Sequence, residues 1–182
     1  MPSLLYCTKK LESPMIGFEV IINKKSLVGG IQEGITSVIV DRLLLDSRNE
    51  LTISFGGYDT KTNNSIHWLK KELFIGDRIT IKVIEVMDNI SIPFEIESYR
   101  ETNFKLISNI SLRLFVKGEV MHANIAKGSI HLIVTVLNEK NKSEIELDFI
   151  IVEYIDNEDT PKKHCYKNTL VLGDALTIEV KE

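Results

Sequence analysis

Tyr58 to Glu85 reads YDTKTNNSIHWLKKELFIGDRITIKVIE, and Ile155 to Glu182 reads IDNEDTPKKHCYKNTLVLGDALTIEVKE. Laid side by side without a gap, the two segments agree at Asp59/Asp156, His67/His164, Lys70/Lys167, Leu73/Leu170, Gly76/Gly173, Asp77/Asp174, Thr80/Thr177, Ile81/Ile178, Val83/Val180 and Glu85/Glu182. Most remaining apolar positions face apolar positions. The chain therefore reads as two copies of one small β-rich unit.

The repeat continues upstream once one indel is allowed. Phe18–Ile22 lines up with Leu112–Val116, Gly34 with Gly128, and Ser37–Val40 with His131–Val134. The offset then grows by about three residues, and insertions are best tolerated in polar loops. That places the extra residues between the second and third strands, in 46–50 against 138–146. The boundaries are 1–88 for the first repeat, 89–103 for a linker and 104–182 for a second, diverged repeat.

Each copy carries the same local signals. Val, Ile and Phe dominate runs that suit a pleated, half-buried surface. Ile79, Ile81 and Val83 alternate with Thr80 and Lys82, the period of a strand with one wet face. Phe149–Val152 is continuously apolar, as a strand covered on both faces would be. Between the third strand and the last, Ile66, Leu69 and Leu73 fall at i, i+3, i+7, which predicts a short helix capped by Asn63 or Asn64. In the second copy Thr160 and Pro161 suit a helix start. Phe94, Ile96 and Tyr99 suggest an extra strand. The expected fold is α+β, mostly β, with about eight or nine strands. It consists of two strand-strand-strand-helix-strand units packed with pseudo-twofold symmetry.

The first copy resembles a group of small bacterial proteins of about one repeat each, over roughly residues 18–85. The likeness rests on Phe55-Gly-Gly-Tyr-Asp59, His67-Trp68, Leu73, Gly76-Asp77 and Ile79/Ile81/Val83. No activity is established for that group. Some small proteins of this general kind sit beside bacterial toxins as presumed immunity proteins, so the resemblance implies an immunity-type role with a toxin as partner.

Composition excludes several classes. Hydrophobic residues are 43%, charged residues 26% and the formal charge is −4, which is not the basic balance of a general nucleic-acid binder. There is no apolar run of about 18 residues for a membrane helix. MPSLLYCTKK places its positive charges after its short apolar stretch, the reverse of a secretory signal. Cys7 and Cys165 form no C-x-x-C pair. A cytoplasmic chain, monomeric or homodimeric, with a protein partner, is expected.

Catalytic motifs are sparse. No G-x-S-x-G elbow is present, and neither Gly29-Gly30 nor Gly56-Gly57 belongs to a phosphate-binding fingerprint. Glycine pairs in β-rich chains more often serve bulges or close packing. Cys165 next to His164 sits where copy one has tryptophan, which favours packing. His122 and His131 lack a neighbouring ligand pattern. No metal or cofactor is expected, including one shared by His67, His164, Asp59 and Asp156. The candidate ligand- or partner-binding residues are Asp59, His67, Trp68, Lys70 and Lys71. Asp59 and His67 flank one loop and would orient an imidazole if they met. The structural alternative has Asp59 accepting loop N–H bonds, His67 bonding back to that loop and Trp68 packing on it. The expectation is a binding protein and not an enzyme; the alternative is a small-ligand or ion-binding module near Asp59, His67 and Trp68.

Overall fold

Alternation of buried and more exposed residues, clearest in Met15–Ile22, Gly34–Leu45, Arg78–Val86, Ser111–Val116 and Ala175–Lys181, marks the twelve strands. A computed structural model describes residues 14–46, 48–87, 110–139, 142–154 and 160–182. The strands are β1 (Met15–Ile22), β2 (Lys25–Gly29), β3 (Gly34–Leu45), β4 (Arg48–Asp59), β5 (Asn64–Glu72), β6 (Arg78–Val86), β7 (Ser111–Val116), β8 (Glu119–Ala123), β9 (Gly128–Glu139), β10 (Lys142–Glu153), β11 (Lys162–Thr169) and β12 (Ala175–Lys181). They form two six-stranded sheets. Sheet I has the order β2-β1-β6-β12-β7-β8 and sheet II the order β11-β10-β9-β3-β4-β5. Every pairing is antiparallel.

Each sheet takes three strands from each copy. The copies meet at β6·β12 in sheet I and at β3·β9 in sheet II. In the first ladder Thr80 faces Thr177, and in the second Ile39 faces Ile133. Each pair joins the same position of the repeat, so both ladders are self-complementary about it. The Thr80 and Thr177 hydroxyls lie 3.3 Å apart. The ladder extends reciprocally at both ends. Gly76 N–H donates to Val180 O (2.9 Å) and Gly173 N–H to Val83 O (3.0 Å). Val180 N–H returns to Asp77 O (3.0 Å) and Val83 N–H to Asp174 O (2.9 Å). The shared Gly-Asp motif is thus a turn device. Asp77 and Asp174 each accept the N–H three residues earlier, from Phe74 and Val171.

The core lies between the sheets. Phe18, Val38, Ile53, Ile79, Ile130 and Leu147 are fully buried there, and each such side chain contributes about 1.5–3 kcal/mol relative to exposure. Asn23 and Lys24, like Lys117 and Gly118, have positive φ. This is the paired left-handed geometry of a two-residue hairpin turn that matches strand twist.

The structure corrects four expectations. First, the described residues contain no helix; the α+β assignment gives way to all-β, and both expected helices are strands, β5 and β11. The register between β4 and β5 shifts after Phe55: Phe55 faces Leu69, Gly56 faces His67, and Trp68 is the extra residue. A β-bulge adds one residue to the period of two, so inward side chains fall at Ile66, Trp68, Leu69 and Leu73. That spacing imitates a helical face. Tyr166 in β11 and Leu170 just past its end share an inward side at a spacing of four, which a helix also allows.

Second, the extra residues of copy two are not in the hairpin. Leu45 faces Arg48 and Glu139 faces Lys142, so the two hairpins match. The longer connection is the one from Glu153 to Lys162, against Asp59 to Asn64. Third, His67 and His164 are not equivalent. The bulge sets His67 opposite Gly56, whereas His164 sits opposite Ile151; the register counterpart of His67 is Cys165. Fourth, the strands number twelve rather than eight or nine among the described residues alone, because β2 and β8, and β5 and β11, read as turn or helix in sequence. Cys7, Asp156 and the segment with Phe94, Ile96 and Tyr99 lie outside the described residues.

Candidate functional site

The outward face of sheet II brings together the groups with chemical capacity. Three rows cross its middle. One runs Lys167–Asp148–Ile133–Ile39–Ser54–Lys70; the next runs Cys165–Ile150–His131–Asp41–Thr52–Glu72; the third runs Lys163–Val152–Ser129–Leu43–Glu50. Alternation puts Ser129 and His131 on the same face of β9. Pairing across the copies puts Asp41 directly beside His131.

These three side chains form a hydrogen-bonded chain. His131 Nδ1 lies 2.8 Å from Asp41 Oδ1, and His131 Nε2 lies 2.9 Å from Ser129 Oγ. The Asp41 and His131 side chains are 44% and 39% exposed, whereas Ser129 is only 8% exposed. The corresponding positions around Ile39/Ile133 hold Thr135, Ser37 and Ile35, so the constellation exists once. Sequence reasoning missed it because Asp41 and Ser129–His131 come from different copies. The alignment of Ser37–Val40 with His131–Val134 carried the signal: a symmetric β3·β9 ladder forces Asp41 opposite His131.

The residues singled out from sequence are spread apart. Asp59 ends β4 and braces the turn, accepting N–H bonds from Lys61 (2.8 Å) and Thr62 (3.3 Å). Its desolvation pushes the carboxyl pKa up, but the bonds from Thr62 and Lys61 outweigh that and hold it below the usual value. His67 faces outward on edge strand β5 and makes no bond to that turn. Trp68 points the other way, into the core, 5% exposed, with its ring centroid 4.7 Å from that of Phe55. A Cβ on Gly29 would come within 2.9 Å of both rings, which explains that glycine. Lys70 faces outward beside Ser54, and Lys71 inward beside Ile53. His67 and His164 sit on opposite edge strands, five strand spacings or about 24 Å apart, too far to share an ion. Among the described residues no group of three or more His, Cys, Asp or Glu is placed to hold a metal.

Two other carboxylates carry an acid-sensitive part of the fold. Glu19 accepts bonds from Ser26 (2.7 Å) and Lys82 (2.9 Å), and these depress its pKa. Asp174 is depressed by the Val171 N–H and then by Lys117. A depressed carboxylate contributes fully above its unfolded pKa, and that contribution is lost as pH falls through the folded value. Unfolded carboxylates titrate near 4, so the melting temperature should hold from pH 7 to about 5 and fall below about 4.5. Lys82→Met should reduce the part owed to Glu19 without abolishing it, because the Ser26 bond, the larger cause, remains. A melting temperature that stays level from pH 5 to 3 would contradict both assignments.

No protein-family model, curated protein or solved structure matches the chain. Among the described residues no helix is long and apolar enough to cross a membrane.

Proposed function

We propose that the protein is a binding protein that engages a macromolecular partner through the outward face of sheet II. The row Tyr58–Ile35–Leu137 carries this reading. These three are cross-strand neighbours, and Ile35 and Tyr58 are 42% and 40% exposed. Beyond the Ser37–Thr135 row the same face carries the half-buried Ile39, Ile133, Leu43 and Ile150. A run of neighbouring surface apolar side chains such as Tyr58–Ile35–Leu137 marks interaction sites more often than isolated exposed residues do. Lys70 and Glu72 rim one side, and Glu144, Glu146 and Lys167 the other, the apolar-centre and polar-rim anatomy of a protein interface. The partner is therefore a protein with a complementary apolar centre. An immunity-type role, covering the working surface of a bacterial toxin, is the most concrete version, motivated by the resemblance of copy one.

The test compares wild type with Ile35→Asp/Tyr58→Asp. Both are tagged and used to capture partners from the native host with crosslinking at low salt. One stoichiometric protein held by wild type and lost by the double variant, at unchanged melting temperature, supports the face. A partner retained by the variant removes it. A small-ligand or ion-binding module near Asp59, His67 and Trp68 has less support, because His67 and Trp68 occupy opposite faces of β5.

A further inference from the structure

We propose that Ser129, His131 and Asp41 form a nucleophilic relay that cleaves small carboxylic esters. The roles follow from the two distances. Asp41 Oδ1 at 2.8 Å from Nδ1 fixes the imidazole tautomer that carries its proton on that nitrogen. Nε2 is then an acceptor, 2.9 Å from Ser129 Oγ, which is within reach for general-base catalysis. A serine hydroxyl is a weak nucleophile until such a base takes its proton. The constellation is recognised by geometry and roles and not by chain order. Here it is built from two strands of a sheet, β3 and β9, with Ser129 and His131 two residues apart on one face.

The surroundings define the substrate. Ser129 is the deepest member at 8% exposed, with Leu43 and Val152 as its cross-strand neighbours. A hydroxyl so recessed between two branched apolar side chains favours a short acyl group. Ser129 is paired in the ladder on both sides, which commits the neighbouring backbone donors to the sheet. General-base activation, typically about 10²–10⁴-fold, is therefore the main source of rate, and the additional ~10²–10³-fold of an oxyanion hole is not expected.

The step balances without a further reagent. Ser129 Oγ bonds to the ester carbonyl carbon while its proton passes to His131 Nε2. The bond from that carbon to the alkoxy oxygen breaks, and the same proton leaves with the alcohol. Water then attacks the acyl-serine, gives one proton to Nε2, and the acid departs as Ser129 recovers its hydrogen. Asp41 touches no reacting atom and is a positioning residue.

A small alkyl fluorophosphonate tests the first half reaction. Oγ bonds to phosphorus, fluoride leaves and Nε2 receives the proton; the phosphonyl-serine resists attack by water, so the adduct is stable. The intact protein should gain one adduct, mapped to Ser129 by peptide mass spectrometry. Ser129→Ala should lose it, and His131→Gln should slow it by about 100-fold or more. Asp41→Asn should slow it with the adduct still on Ser129, and Asp41→Glu should recover part of the rate, which a purely structural role for Asp41 would not produce. Acetate release from p-nitrophenyl acetate should follow the same order. An adduct on another residue at equal yield in Ser129→Ala overturns the proposal. So does a Ser129 labelling rate unchanged in His131→Gln, since that variant keeps the serine and tests the relay even where Ser129→Ala alters the fold.

Discussion

Gly34→Ala and Gly128→Ala are each expected to lower the unfolding free energy by about 3–5 kcal/mol. Both glycines open the long central strand of their copy, at φ +142° and +144°. A Cβ there would sit 2.0 Å from the Tyr58 and Val152 carbonyl oxygens respectively. Those oxygens are backbone atoms of the paired strand and have no rotamer to give way. The φ region itself is close to glycine-only and costs a substituted residue about 1–3 kcal/mol before any overlap. The remainder comes from displacing the start of β3 or β9 from its ladder.

Against a typical total of roughly 5–15 kcal/mol, either change is a large fraction. The two sites lie at opposite ends of the β3·β9 ladder, about 30 Å apart, so the double variant should lose close to the sum. Urea unfolding measures both, and a loss below about 1 kcal/mol in each single variant would refute the geometry. The consequences for the outward face differ. Gly128 adjoins Ser129, so Gly128→Ala should lose fluorophosphonate labelling while still folded; Gly34 adjoins Ile35, so Gly34→Ala should weaken partner capture first.

The glycine pair was legible in sequence as a shared position, and so were the alternating Ile79, Ile81 and Val83 of β6. Both are local: a period of two and a repeated small residue need no tertiary knowledge. Trp68 shows where locality fails. Its insertion turned the period of β5 into a helical spacing, and only the pairing of Gly56 with His67 reveals the bulge. The same extra residue made His67 and His164 coincide in the alignment although they face differently in the fold. Asp41, Ser129 and His131 were invisible for another reason. Strand pairing between copies joins positions ninety residues apart, as His131 and Asp41 show, and no motif of adjacent residues encodes that. Arg42 was equally unremarkable on paper, a single charge in an apolar run.

Among the described residues Arg42 is the largest fully buried side chain, 1% exposed. Its Nη1 donates to Asn49 Oδ1 and, at 3.4 Å, to the Glu50 carbonyl. Nε and Nη2 have no partner among the described residues, and burial lowers the guanidinium pKa from its ordinary value. A buried charge without a carboxylate is poorly compensated, and an apolar side chain of similar volume in its place is often stabilising by about 1–4 kcal/mol. Arg42→Met is therefore expected to raise the urea midpoint, with a gain in that range. The second copy supports the direction, since the matching position is Val136, fully buried in the same core. Arg42→Ala would leave a cavity and should gain less or lose. A loss of 1 kcal/mol or more in Arg42→Met would show the guanidinium to be better satisfied than its contacts indicate.

The charge also bears on which copy pairs with which. Arg42 faces Ile130 across the copy boundary. Two first copies joined by the same ladder would instead bury two guanidinium groups, each opposite Thr36. Asn138 works in the same sense from the other side: its Nδ2 donates to the Ile16 and Ile31 carbonyls of copy one at 2.7 Å each. The matching residue, Leu44, has no amide to offer. One buried cation and one buried amide thus favour pairing of unlike copies over pairing of two first copies, the use of unfavourable alternatives to obtain specificity. Arg42→Met, though more stable, should then show a larger fraction of dimer joined through two first copies after refolding at high concentration, read by size-exclusion chromatography. An unchanged monomer fraction would assign specificity to Asn138 alone.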